Sequence, residues 1–152
     1  MLRLLMLITF VLLSASPSMS GQRFEAFKVD SIYIGPHAAP VLRTARERRF
    51  KTQLRNAAQQ RVNFAGHYVL STWGCGAGCR SGAAIDVRTG QVIWLPCDVE
   101  FEGIPRNAEP VEFRADSRLV VLYGMMLCDA AQLPSDRYYY KLQGNRFVRL
   151  SK

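Results

Sequence analysis

Gly82-Ala83-Ala84-Ile85-Asp86-Val87, Arg88-Thr89-Gly90, Gln91-Val92-Ile93-Trp94-Leu95 is two apolar, β-favouring segments joined by a turn that ends on glycine. Val, Ile and Trp fit a pleated, half-buried surface, and the turn supplies a residue free to take positive φ, so the stretch predicts an antiparallel hairpin. Outward from it the hydrophobic period stays at two. Residues 67–73, 111–113, 118–124, 137–142 and 146–150 read as further strands rich in Val, Ile, Tyr, Phe and Trp. Ala115-Asp116-Ser117 and Gln143-Gly144-Asn145 mark two more tight turns. Residues 21–34, with Phe24, Phe27, Val29, Ile32, Tyr33 and Ile34, predict one short strand leading into the Gly35-Pro36 turn.

The period changes upstream of Gly66. Between Arg43 and Gln60 there is no Gly or Pro, and Arg, Ala, Gln and Leu dominate, which predicts a helix with Phe50 and Leu54 facing the core. The fold class expected is α+β, mainly β: one N-terminal helix packed on a twisted antiparallel sheet or a small β-sandwich. Residues 98–110 and 125–136 read as the longest loops, where binding surfaces would sit.

At the N-terminus, Met1 to Arg3 is a short basic start, Leu4 to Leu13 is unbroken apolar chain, and Ser18-Met19-Ser20 places small residues at a cleavage site. This predicts a signal peptide over residues 1–20. An apolar run of ten is shorter than the roughly 20 residues a bilayer span needs, so no transmembrane segment is expected in the mature protein. The remaining 132 residues (21–152) suit a single domain. Localisation is expected to be periplasmic or secreted, where cysteines oxidise.

Four cysteines allow three pairings. In an up-and-down meander Cys75, Cys79, Cys97 and Cys128 all fall at one end of the sheet. Cys75 with Cys79 and Cys97 with Cys128 is favoured, since Gly74, Gly76 and Gly78 relieve the small ring; the crossed pairs, 75 with 97 and 79 with 128, stay open. Zinc would need two close-spaced pairs where one exists, and a redox motif would place Cys-x-x-Cys at a helix N-terminus, so no metal and no cofactor are expected.

Charge is uneven. The whole chain carries +8, and residues 43–61 alone carry +6 through Arg43, Arg46, Arg48, Arg49, Lys51, Arg55 and Arg61 against Glu47. Residues 98–112 carry −4. Basic clusters bind polyanions. Export removes nucleic acid from the candidates and leaves lipid headgroups, acidic wall polymers and acidic proteins. Candidate binding residues are Arg43, Arg46, Arg48, Arg49 and Arg55, with His67 near the cysteine loop and Tyr138 and Tyr140 as recognition tyrosines. No nucleophile elbow, phosphate loop or zinc-protease motif is present, and no catalytic residue is assigned. Glu100 and Glu102 would share a face if extended, but an acidic surface loop accounts for them.

Two resemblances follow from these residues. Asp86 to Trp94 resembles the strand-turn-strand of propeller blades, which implies only a shared hairpin geometry, because 132 residues cannot close a propeller. Asn63-Phe64-Ala65-Gly66-His67-Tyr68, Trp73-Gly74-Cys75-Gly76 with Cys79, and Asp116-Ser117-Arg118 resemble a group of small exported bacterial proteins without established activity. That resemblance implies an exported bacterial location and a shared fold. The function expected is a macromolecule-binding module of the inhibitor or immunity type, without catalysis, whose partner is a protein or an anionic envelope component. The rival is an enzyme or thiol redox protein centred on His67 and Cys75/Cys79.

Overall fold

The computed structural model describes residues 22–151. The expected signal peptide lies outside them. The architecture is mainly β: one eight-stranded antiparallel sheet, with β1 (Tyr68–Gly76), β2 (Cys79–Asp86), β3 (Val92–Trp94), β4 (Asp98–Glu100), β5 (Val111–Phe113), β6 (Leu119–Cys128), β7 (Ala131–Gln143) and β8 (Arg146–Arg149). Along the main path the order is β1-β2-β4-β6-β7-β8, while β3 pairs with β2 and β5 with β6.

Three sequence expectations are corrected. The helix expected from Arg43 to Gln60 is two shorter ones, α1 (Ala45–Arg49) and α2 (Lys51–Ala58). Phe50, between them, leaves helical geometry at φ −100° and ψ 22°, and its ring packs against Trp73 and Trp94. The strand expected within residues 21–34 is a 3-10 turn over Phe24–Phe27 followed by irregular chain, tied to the sheet by one bridge from Lys28 to Ser117. Finally, residues 125–136 are no loop. β6 and β7 extend through them to a turn at Asp129-Ala130, and Asp98–Glu100, also read as loop, is β4.

Because β2 and β6 each change partners along their length, the sheet folds over on itself. β2 pairs with β3 at Ala83–Ile85 and with β4 at Cys79–Arg80. β6 pairs with β5 at Val120–Leu122 and with β4 at Met125–Leu127. Gly124 sits at the changeover, with φ +141°, and a Cβ there would collide with the carbonyl oxygen of Glu100. Only glycine allows β4 this close.

Two hydrophobic clusters result. The larger draws Tyr68, Leu70, Ala84, Ile93, Val99, Val111, Leu122, Met126, Tyr140 and Leu142 from both halves of the sheet, with Phe64 fully buried among them. Phe64 lies 6.0 Å from the Phe147 ring of β8 and 6.3 Å from the rings of Tyr68 and Phe113. The smaller cluster seats α2 through Leu54, Ala57 and Ala58 against Val69, Ala83, Ile85 and Val87. β2 is therefore covered on both faces, and Ser81–Asp86 is buried without alternation. On β7, by contrast, Tyr138, Tyr140 and Leu142 alternate with less buried residues.

The cysteines pair as Cys75–Cys79 and Cys97–Cys128. Since Asp98 faces Leu127, Cys97 and Cys128 continue the ladder as the next cross-strand pair, with Cα atoms 4.3 Å apart.

In the chain-entropy picture the Cys97–Cys128 link contributes about 3–4 kcal/mol and Cys75–Cys79 about 2 kcal/mol. Replacing Cys97 and Cys128 by alanine is expected to lower the urea midpoint more than the same change at 75 and 79. Equal shifts would show that β4 is held without its disulfide.

The start of α1 carries its own lock. Thr44 Oγ1 accepts from the Glu47 N–H, while Glu47 Oε2 accepts from the Thr44 N–H at 2.6 Å and from the Arg43 N–H. This is a capping box whose acid is buried. Glu47→Ala is expected to cost about 1–2 kcal/mol, and Glu47→Gln, which retains an acceptor, clearly less. The measurement is thermal unfolding of both variants.

Candidate functional site

The β1–β2 hairpin tip, the start of β4 and α1 meet at one pole of the sheet. Arg46, Arg49 and Phe50 from the helical side face Gly74, Cys75, Ser81 and Asp98 across a cleft of about 710 Å³. Phe50, the one aromatic side chain of its lining, belongs to a cluster with Trp73 and Trp94 whose rings lie 5.4 to 5.8 Å from one another. The Arg46 guanidinium sits over the Trp94 ring at 3.9 Å, a contact that fixes the cation without neutralising it. The Trp73 indole N–H is buried with no acceptor, so part of the packing gain of the cluster offsets a lost hydrogen bond of about 1–3 kcal/mol.

The electrostatics of this pole follow from the cap. Glu47 is the sole acid between Arg43 and Arg61, and its carboxylate is turned onto backbone N–H groups. Arg43, Arg46, Arg48, Arg49, Lys51, Arg55 and Arg61 are all exposed. Among the described residues none of the seven forms an ion pair. Arg48 instead donates to the Arg43 carbonyl at 2.8 Å. The arrangement is a cationic surface with an aromatic cluster and a partly exposed disulfide beside it.

A carboxylate oxygen of Asp98 and the sulfurs of Cys75 and Cys79 lie within 4.8 Å of one another. Joined as a disulfide, the sulfurs offer no thiolate to an ion. His67 is not part of this constellation. It precedes β1 while Cys75 closes that strand, so eight extended residues hold them about 26 Å apart. His67 and the Cys75–Cys79 bridge therefore occupy separate places on the sheet.

His67 belongs to the opposite pole. Arg88 Nη2 donates to His67 Nε2 at 2.6 Å, which leaves the ring proton on Nδ1. Asp86 lies beneath: its Oδ2 is 3.7 Å from the same His67 nitrogen and its Oδ1 accepts the Arg88 backbone N–H at 2.9 Å. Burial holds the His67 pKa below its ordinary 6.5; the Asp86 charge opposes this and the Arg88 charge adds to it. The hairpin seen in the sequence builds the geometry. Gly90, at φ +76°, donates its N–H to the Asp86 carbonyl and closes the turn that carries Arg88.

The recognition tyrosines are relocated. Tyr138 and Tyr140 are each 5% exposed and sit in the larger core, where burial raises the Tyr140 pKa and Tyr138 donates to the Pro134 carbonyl. Their rings offer no surface to a partner. His37 is exposed, and its Nδ1 lies 2.8 Å from the Ala58 carbonyl, tying the 36–41 segment to the end of α2. Asp98 and Ser81 of the cleft had no signal in the sequence, since only the β4 pairing brings them beside Arg46. Comparison with protein families, curated proteins and solved structures finds no match to the chain.

A histidine whose folded pKa is depressed contributes its full share above pH 6.5, where the ring is neutral in both states. As the pH falls below that value the unfolded ring takes up a proton that the folded ring resists, so stability declines. His67→Gln retains an acceptor for Arg88 and should flatten the fall in urea midpoint between neutral and mildly acidic pH. An unchanged slope would assign the acid sensitivity to other groups.

Proposed function

We propose that the chain is an exported, periplasmic or secreted binding module that docks an acidic macromolecular partner on the α1–α2 arginine face and its adjoining cleft, without catalysis. The observation that carries this reading is the uncompensated cation set: seven exposed basic side chains within 43–61 have no acid partner among the described residues, because Glu47 is committed to the helix cap. Charge of this kind speeds encounter with an anionic surface, and the Phe50–Trp73–Trp94 cluster beneath Arg46 adds a rigid aromatic anchor. Two disulfides suit an oxidising compartment. The likeness to small exported bacterial proteins belongs with the same reading, as does an inhibitor or immunity role in which a small stapled domain blocks a larger enzyme.

Charge reversal tests it. The wild-type protein, immobilised with its disulfides intact, is expected to retain an acidic protein from envelope extract at low salt and release it as salt rises. Arg46→Glu, Arg48→Glu and Arg49→Glu together should reduce retention at least about tenfold. Arg48→Glu with Arg55→Glu leaves the Arg46–Trp94 contact untouched and should act in the same direction. Equal retention by both variants, or retention indifferent to salt, would overturn the proposal.

A further inference from the structure

At the pole away from the disulfides a second cavity, of about 800 Å³, opens between the 26–31 segment, the start of β1 and the β7–β8 turn. Its charged lining is cationic. Arg88, Arg118 and Lys141 line it together with His67, and among the described residues Asp30 is its only carboxylate.

The three cations are held in different ways, and each has donors to spare. Arg118 is fixed at its main chain, donating its N–H to the Phe27 carbonyl and accepting from the Leu142 N–H, both at 2.9 Å. Lys141 is locked by strand pairing, opposite Leu119 on β6 and Val148 on β8. Neither side chain has an acid partner among the described residues. Arg88 uses Nη2 on His67 and directs Nε toward Asp86 at 3.5 Å, and its Nη1 makes no hydrogen bond among the described residues. The His67 proton, displaced to Nδ1 by that contact, is a further donor on a cavity-lining residue.

Like charges do not converge on one cavity without cost, and among the described residues no carboxylate forms an ion pair with Arg118 or Lys141. Guanidinium donors in a fixed fork match carboxylate and phosphate oxygens, and an ammonium adds a movable charge. Phe27, Val29 and Leu142 supply apolar wall beside the cations, which suits a compact organic anion better than a bare ion.

We propose that the cavity bounded by His67, Arg88, Arg118 and Lys141 is a binding site for a small oxyanion, a carboxylate or phosphate group on a compact molecule. It is separate from the arginine face of α1 and α2 and does not depend on the function assigned there. Asp30, exposed at the lining, sets beside the cations a carboxylate that a neutral or cationic part of a ligand can approach.

The chain has two histidines, His37 and His67, and only His67 lines the cavity. Imidazole resonances therefore report the site directly, with His37 as internal control. Titrating the protein with inorganic phosphate, and separately with succinate, against sodium chloride at matched ionic strength should shift the His67 signals saturably below about 10 mM anion. His37 should not move. Arg118→Ala with Lys141→Ala removes two side chains that form no ion pair among the described residues and should weaken binding at least tenfold, while the Arg46, Arg48 and Arg49 charge-reversal variant binds as the wild type does. Preference between phosphate and succinate identifies which oxyanion the site takes. A His67 response no larger than that to chloride, or undiminished binding by the double variant, would overturn the site.

Discussion

β4 is three residues long, and the shape of the molecule depends on it. Asp98–Glu100 accepts the end of β2 on one side and the end of β6 on the other, so the two halves of the sheet are continuous only at this pole. Further from it β2 and β6 diverge and take β3 and β5 as separate partners. The gap between them is where the larger core lies, closed by Phe64 against Phe113 and Phe147. A ladder this short has few hydrogen bonds of its own, and the Cys97–Cys128 bond adjoining it supplies the connection that pairing alone does not. Gly124 matters for the same reason: any side chain there would lever Glu100 away.

From this constraint the two poles acquire different chemistry. Where β2, β4 and β6 meet, chain ends and hairpin tips crowd together, bringing Cys75, Asp98 and the α1 arginines to one cleft. At the far end the strands separate, the Arg88 turn projects, and the irregular 26–31 segment lies across the opening. A curled sheet with one closed end and one open end thus presents two unlike surfaces, one a cationic cleft beside an aromatic cluster, the other a walled cavity.

Much of this is legible in the amino-acid sequence alone. The Arg88-Thr89-Gly90 turn, the Gly144 turn, the alternation through Tyr138–Leu142 and the gathering of sulfurs at one pole all follow from local rules, because they rest on residues adjacent in sequence or on the direction of successive strands. β4 does not. Asp98-Val99-Glu100 is acidic and lies beside Pro96 and Gly103, which reads as loop, and it is a strand only because β2 and β6 present open edges to it. The lower half of the β6–β7 hairpin is obscured in the same way, since Met125–Leu133 includes Cys128, Asp129 and Gln132 and its pairing is set by the register started upstream. Tyr138 and Tyr140 show the limit of alternation: it pairs them on one face, and only the folding-over of the sheet decides that this face is inside.

The arginine segment illustrates how a local stability device can leave a functional charge behind. A helix of five residues is too short to persist on its own propensity, so α1 needs its cap, and the cap consumes the only acid within reach. In an ordinary solvated helix an acid four residues from an arginine would form a surface pair. Here Glu47 is buried against its own backbone, and the arginines around it form no ion pair among the described residues. The positive potential at this pole is thus a consequence of how the helix begins. Removing the cap and reversing the arginines act on different quantities: the first changes how firmly α1 is seated on Trp73 and Trp94, the second changes the field it presents. A surface whose charge and whose fold can be altered separately is one on which binding can be assigned to the cations themselves, independent of the seating of the helix that carries them.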